Sequence, residues 1–341
     1  MKYVRLGSTG LQVSRLCLGC MSFGEPGWDV HPWVLDRDEA MPIFRKAAEA
    51  GINFFDTANY YSRGRSEEIL GDAVREHYVR DEVVIATKLG FAMSDRPNMA
   101  GLSRKNIIQA IEGSLRRLRV DHIDLLYTHR FDPATELEEM MLALDQVVRD
   151  GKVLYLGACS AMSWQFAKIR EMQKASGLAR FQVMQNFYNL AYREEEREMI
   201  PYCRYEGVAL VPWSPIARGF LAGARPKDSE PVGGRALQDK VLQNYFGSEA
   251  DYAVLDAVQA SARERNLKPA QIAYAWILSQ PFVTAPIVGV DKLEHLEDAI
   301  AALGIELDDC TLRALESPYQ AHAPLGQVTV GGADPLFGFG S

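Results

Sequence analysis

The chain has 341 residues, of which 48% are hydrophobic, and this is enough apolar material for a large core. Its formal net charge of −8 argues against a nucleic-acid partner, because phosphate binding requires a basic surface. The five cysteines are too scattered for a disulfide framework, and we find neither an apolar leader nor an 18-residue apolar run. We therefore expect a cytoplasmic protein without a membrane span.

The N-terminal residues predict a β-hairpin, with strands at 3–6 and 11–16 joined by a Gly-Ser-Thr-Gly turn. A short apolar run, a loop and an amphipathic helix then follow one another repeatedly. The predicted strands lie at 16–19, 53–56, 83–87, 123–127, 153–158, 181–185, 208–213 and 284–288. The predicted helices lie at 37–50, 66–76, 103–118, 136–148, 163–174, 193–205, 252–266, 269–278 and 293–302.

Eight strand-helix units in this order predict an α/β fold, a parallel sheet closed into a (β/α)8 TIM barrel. The alternative is an open doubly wound sheet, which the lack of a G-x-G-x-x-G turn disfavours. No linker divides the chain, so we expect one domain over residues 1–341. Long loops are predicted at about 89–102 and 218–250 and in the tail from about 318, the tail being a candidate substrate-side loop.

Ionisable side chains stand at the ends of three successive predicted strands. Asp56 ends the second strand and is followed by Tyr61, while Lys88 and His129 end the third and fourth. The carboxyl ends of TIM-barrel strands form the catalytic face, so these four side chains are expected to converge. A single such residue is more often structural, but the four together favour an acid–base site.

Residues 56–61 read D-T-A-N-Y-Y and resemble the D-T-A-x-x-Y signature of the aldo-keto reductases. Lys88 and His129 each follow a threonine and stand where that family has its lysine and histidine. The resemblance extends from the hairpin to about Tyr319. Several stretches look like the bacterial branch related to potassium-channel β-subunits, namely 15–21, 192–197 and 213–219.

The resemblance implies an enzyme that reduces an aldehyde or ketone with a hydride from NADPH. Tyr61 would donate a proton to the carbonyl oxygen, and Lys88 would lower the pKa of this phenol from its usual value near 10. Asp56 would hold Lys88 in place, and His129 would donate a hydrogen bond to the carbonyl. The histidine spacing indicates no metal site.

The resemblance also implies cofactor contacts, with Gln185 at the nicotinamide amide, Trp213 stacked on the ring and the following loop around the pyrophosphate. The implied contacts are Ser160, Gln185, Trp213, Ser214, Arg218, Gly219, Leu221, Gly289, Lys292, His295 and Asp298. Asp291 would repel a 2′-phosphate whereas Lys292 and His295 would attract it, so we expect NADPH and leave NADH open.

Aromatic loop residues either line a substrate pocket or simply pack, and the sequence does not separate these readings. They are Phe23, Trp28, Trp33, Phe91 and Phe187. Arg130 is interpreted either as a site for an anionic substrate or as the partner of a local acid. The expected partner is a small carbonyl compound, and the oligomeric state stays open. Two other functions remain: a regulatory partner protein of the channel β-subunit type, and a hydrolase or isomerase that uses Asp56 and His129 without nicotinamide.

Overall fold

The computed structural model describes residues 1–28, 30–227, 234–321, 323 and 325. It opens with an antiparallel hairpin of β1 (Tyr3–Arg5) and β2 (Gln12–Ser14). Val13 on β2 is fully buried in an apolar cluster that also contains Phe54 and Leu125 from the barrel strands. The hairpin therefore packs against the interior of the barrel, as burial of its apolar side chains requires.

Eight parallel strands form the central sheet. They are β3 (Cys17–Gly19), β4 (Phe54–Asp56), β5 (Val84–Leu89), β6 (Ile123–Thr128), β7 (Val153–Cys159), β8 (Phe181–Gln185), β9 (Ala209–Leu210) and β10 (Ile287–Gly289). The strands lie in chain order, and β10 pairs with β3. Bridges from Leu210 to Val283 and from Trp213 to Ile287 join the two remaining edges. The predicted (β/α)8 barrel is therefore confirmed.

The helices between the strands bury one face against the sheet. The first six are α1 (Arg37–Glu49), α2 (Arg65–His77), α3 (Arg104–Leu118), α4 (Leu137–Arg149), α5 (Ser163–Ala175) and α6 (Met199–Glu206). The others are α7 (Gly234–Gln238), α8 (Lys240–Tyr245), α9 (Glu249–Arg265), α10 (Pro269–Ser279), α11 (Leu293–Ala302) and α12 (Asp309–Glu316). Among the residues that the structure describes, no helix combines the length and apolar character needed to cross a membrane.

Local sequence explains where several helices begin. Asp36 accepts a hydrogen bond from the amide of Glu39, and the Glu39 side chain accepts one from the amide of Asp36, which caps α1 reciprocally. Ser103 caps α3 in the simpler way, by accepting from the amide of Asn106. Asp308 likewise caps α12 by accepting from Thr311.

The structure corrects several predicted boundaries. The last two barrel strands are shorter than expected because Pro212 and Pro286 interrupt them and cannot donate to the ladder. The predicted helix at 193–205 is a 3-10 turn, Glu194–Glu196, followed by α6. The predicted loop at 218–250 contains α7 and α8, and α12 was missed. The tail beyond residue 325 lies outside the described residues.

Candidate active site

The site is built around a buried ion pair. β4 and β5 are neighbours in the sheet, which brings their carboxyl ends together. From β5, the ammonium of Lys88 donates to Oδ2 of Asp56 at 2.5 Å and to the carbonyl oxygen of Thr57 at 2.9 Å. The Lys88 side chain is 0% exposed and that of Asp56 is 4% exposed. Asp56 therefore fixes the position of the ammonium, as a buried charge requires a paired partner.

Tyr61 reaches this ion pair from the tight turn that follows β4. The ammonium of Lys88 lies 3.2 Å from Tyr61 Oη. After Tyr61 the chain has left-handed backbone at Ser62 (φ 48°), Arg63 (φ 54°) and Gly64 (φ 97°). This conformation is costly for residues other than glycine, so it is held by its surroundings. One such contact is the hydrogen bond from the amide of Glu25 to Ser62 Oγ at 2.9 Å.

Burial and the ion pair act in opposite directions on the tyrosine. Burial raises the pKa of Tyr61 above its usual value near 10, and the charge of Lys88 lowers it less than burial raises it. Lys88 thus acts on the phenol in the predicted direction, but burial outweighs it and the net pKa of Tyr61 is raised. Burial lowers the pKa of Lys88, but Asp56 and Tyr61 more than offset this and the pKa is raised. Lys88 is consequently charged and Tyr61 protonated at neutral pH.

His129 follows β6 and lies beside Tyr61, with the two ring centroids 5.8 Å apart and the planes at 83°. Burial lowers the pKa of His129 well below its usual range, and the nearby charges of Arg130 and Lys88 lower it further. The imidazole is therefore neutral and keeps one N–H donor. Its Nδ1 is buried and has no hydrogen-bond partner among the described residues.

Gln185, at the end of β8, donates from Nε2 to Asp56 Oδ1 at 2.8 Å. The resemblance implied that this amide contacts the nicotinamide, and in the structure it is hydrogen-bonded to the carboxylate of Asp56. Gln185 also lines the cavity described below. Both oxygens of Asp56 are thus occupied, one by Gln185 and one by Lys88.

A cavity of about 440 Å³ opens at the carboxyl ends of the strands. The predicted catalytic residues that line it are Asp56, Tyr61 and His129, while Lys88 lies behind them. The predicted cofactor residues that line it are Gln185, Trp213, Ser214, Arg218, Gly219, Gly289, Lys292, His295 and Asp298. The structure therefore brings most of the predicted site residues into one cavity.

Two predicted phosphate contacts are placed differently. Arg218 lines the cavity, but its Nε donates to Asp239 Oδ2 at 2.7 Å, and both side chains are buried. Leu221 is 0% exposed in the hydrophobic core and does not line the cavity. The side chain of Leu221 packs inward, and the predicted contact of this loop residue with the cofactor stays a prediction.

Trp213 is held in position from two sides. Its Nε1 donates to Ser160 Oγ at 3.1 Å, and the ring of Phe187 stacks against it with centroids 4.3 Å apart. Ser160 and Phe187 themselves do not line the cavity. Both residues support Trp213, and their predicted contacts with a ligand stay predictions.

The far end of the cavity carries charges of both signs. His295 Nδ1 lies 2.6 Å from Asp291 Oδ1, and Lys268 Nζ lies 2.9 Å from Asp298. Lys292 is the N-cap of α11, which no side chain caps. Lys268 could not be found from the sequence, because only the fold brings the start of α10 next to α11.

Of the six substrate candidates, Phe91 and Arg130 line the cavity. The others lie in aromatic contacts outside it. Phe23 packs on Phe44 at 5.0 Å, Trp28 on Tyr60 at 5.4 Å, Trp33 on His31 at 4.6 Å and Phe187 on Trp213. These four do not line this cavity, and their contact with a substrate stays a prediction. His31 and Cys159 do line the cavity, and no spacing in the sequence marked them. Among the described residues, no group of three or more His, Cys, Asp or Glu side chains could hold a metal ion.

Comparison with known proteins decides the family. Residues 15–319 match the model of the aldo/keto reductase family. The chain belongs to this family. Aldo/keto reductases are NAD(P)H-dependent oxidoreductases, and the chain is an enzyme of this kind.

Several relatives cover nearly the whole chain. The versiconal hemiacetal acetate reductase of Aspergillus parasiticus is 40% identical over 94% of this chain and 97% of its own length. The aldo-keto reductase AMT2 of Alternaria alternata is 38% identical over 95% and 93%, and the aldo-keto reductase dtxS3 of Metarhizium robertsii is 39% identical over 93% and 90%. These relatives are fungal enzymes, and they give no support to the predicted bacterial branch related to potassium-channel β-subunits.

Proposed function

We propose that residues 1–341 form one domain that reduces an aldehyde or ketone with NADPH, with Tyr61 as the proton donor. The contact of 3.2 Å between Lys88 Nζ and Tyr61 Oη carries this proposal. In this contact the phenol of Tyr61 lies beside a fixed ammonium and lines a cavity large enough for a small molecule. When bound, the dinucleotide supplies the hydride that reaches the carbonyl carbon.

The proton comes from Tyr61 Oη. The phenol is protonated at neutral pH because burial raises its pKa. As negative charge develops on the carbonyl oxygen, the phenol transfers its proton there and becomes a phenolate. The adjacent ammonium of Lys88 stabilises that phenolate, and Asp56 keeps the ammonium from moving away.

His129 orients the carbonyl. Its neutral imidazole lines the cavity next to Tyr61 and offers an N–H to the carbonyl oxygen. A neutral donor polarises the oxygen without competing with Tyr61 to protonate it. Tyr61 is therefore the acid, and His129 is the group that positions the substrate.

The remaining cavity walls suit a dinucleotide. The indole of Trp213 presents a fixed flat surface suited to a nicotinamide ring. Left-handed backbone at Ser214 (φ 56°) and Gly219 (φ 98°) forms a tight loop whose amide groups can approach phosphates closely. The uncapped start of α11 offers further amide donors beside Lys292.

NADPH is proposed over NADH on the charges at the far end of the cavity. Lys292 and His295 favour a 2′-phosphate, whereas the carboxylate of Asp291 opposes it. Steady-state kinetics with both cofactors test this balance. We expect a higher kcat/KM with NADPH, and a clear advantage for NADH would refute the assignment.

A panel of aldehydes and ketones tests the reaction itself. We expect loss of NADPH absorbance with at least one carbonyl compound and no substrate turnover when nicotinamide is omitted. The alternative of a hydrolase or isomerase predicts turnover without nicotinamide. That alternative is disfavoured because Lys88 and Gln185 already occupy both oxygens of Asp56, so the carboxylate is poorly placed to act as a base.

A further inference from the structure

Arg130 places a second buried cation at the catalytic end of the cavity. It follows His129 directly, is 4% exposed and lines the cavity. The ring of Phe91 contacts both neighbours, with its centroid 4.2 Å from that of His129 and 5.3 Å from the guanidinium carbon of Arg130. The ring of Phe91 thus lies between Arg130 and His129, the residue proposed to orient the carbonyl.

The guanidinium is held at a defined position. Its Nη1 donates to the carbonyl oxygen of His129 at 2.7 Å and approaches Cys159 Sγ at 3.4 Å. A guanidinium fixed in this way offers a planar set of N–H donors that matches the two oxygens of a carboxylate. Lysine, a single point charge on a flexible chain, would not match them as well.

The charges around this end of the cavity add to the effect. The ammonium of Lys88 is balanced by Asp56 at 2.5 Å, so this pair contributes little net charge. The guanidinium of Arg130 lies in the wall of a largely apolar cavity, where charge interactions are stronger than in water.

We propose that Arg130 binds a carboxylate of the substrate, and that the preferred substrates are aldehydes or ketones carrying a carboxylate one short aryl or alkyl spacer away. The inference rests on the proposed function, since it assigns the substrate class of the same site. It makes Arg130 a specificity-determining residue: the carboxylate binds at the guanidinium while the carbonyl lies against Tyr61 and His129.

Matched substrates test the inference. We would measure kcat/KM for 4-carboxybenzaldehyde and 4-methylbenzaldehyde, which differ mainly in charge. We expect the wild-type enzyme to prefer the carboxylated compound, and Arg130→Met to lower the ratio of the two kcat/KM values at least tenfold, chiefly through KM. Arg130→Lys should restore part of the ratio, and the exposed Arg96→Met in the loop after β5 serves as the control with an unchanged ratio.

Binding gives a second readout that needs no turnover. Calorimetry with 4-(hydroxymethyl)benzoate and 4-methylbenzyl alcohol, both as product analogues, should show tighter binding of the acid to the wild-type protein and loss of that difference in Arg130→Met. A wild-type enzyme that binds or reduces both compounds equally, or an unchanged ratio in Arg130→Met, overturns the inference. Reduction of the neutral aldehyde alone would uphold the proposed function and still overturn this one.

Discussion

Gln185 and Asp56 are 129 positions apart in the chain, yet the Gln185 amide donates to the Asp56 carboxylate at 2.8 Å across the carboxyl end of the barrel. The hydrogen bond joins β8 to β4, strands that are not neighbours in the sheet. It links the residue that anchors Lys88 to the half of the barrel that carries Trp213. The geometry of the acid is thus tied to the wall of the proposed cofactor site.

Replacing this amide tests the link. Gln185→Leu removes a hydrogen bond to a buried carboxylate, and such bonds contribute about 1.5–3 kcal/mol. We expect the free energy of unfolding, measured with urea, to fall by about that amount. Gln146→Leu is the control, because the Gln146 amide donates to an exposed acid, Asp150, at the C-terminal end of its helix. Equal stability losses in the two variants would contradict the account.

Lys88→Met tests how the ammonium acts on the phenol. Without its charge, the pKa of Tyr61 should rise further, because burial would act unopposed. Alcohol oxidation requires the phenolate, which forms as pH rises. The rate of alcohol oxidation should therefore begin to increase at a higher pH in the variant than in the wild type. Reduction should slow by about 10²-fold or more. A pH profile that does not move would contradict this role.

A double variant separates chemistry from folding in that experiment. Lys88→Met alone leaves Asp56 as a buried charge without its cation, which is strongly destabilising. Asp56→Asn combined with Lys88→Met leaves no such charge. We expect the double variant to be more stable than Lys88→Met and equally slow, since neither has the ammonium.

The sequence predicted the barrel and the catalytic end of the site because those features are local. Asp56, Lys88 and His129 lie at or just after the carboxyl ends of apolar strands, and in a parallel barrel all such ends share one face. Contacts that depend on side-chain direction were not accessible. Nothing in the spacing showed that Arg218 pairs with Asp239, that Phe187 supports Trp213, or that burial would outweigh Lys88 at the phenol.

A second, partly buried ion pair lies next to the strand that carries Lys88. Glu67, 0% exposed, accepts from Arg117 Nε at 2.6 Å and from the hydroxyl of Thr87, the neighbour of Lys88, at 2.7 Å. Glu67→Ala should reduce the free energy of unfolding by about 1.5–3 kcal/mol, because it removes charge-assisted hydrogen bonds from Arg117 and Thr87. Glu68→Ala, at a surface pair, should cost about 0–1 kcal/mol. Similar losses measured in urea would contradict the assignment.

Acid should destabilise the protein through His129. Its pKa is well below the value of about 6.5 expected in the unfolded chain, so below that pH the unfolded state binds a proton that the folded state does not. Stability then falls with pH by up to about 1.4 kcal/mol per unit from this residue. His129→Gln should show a shallower decline in urea unfolding between pH 6.5 and 5. A decline parallel to that of the wild type would refute the buried neutral imidazole, and His122→Gln controls for loss of a histidine elsewhere.

Single-turnover hydride transfer with Tyr61→Phe tests the proton donor most directly, and Tyr60→Phe is a matched control that removes a neighbouring phenol from the same cavity. Each variant would be saturated with NADPH and mixed with one carbonyl substrate. We predict that Tyr61→Phe retains cofactor binding but slows transfer by about 10²–10⁴-fold, while Tyr60→Phe stays much closer to the wild type. Equal rates in Tyr61→Phe and the wild type would contradict the assignment of the acid.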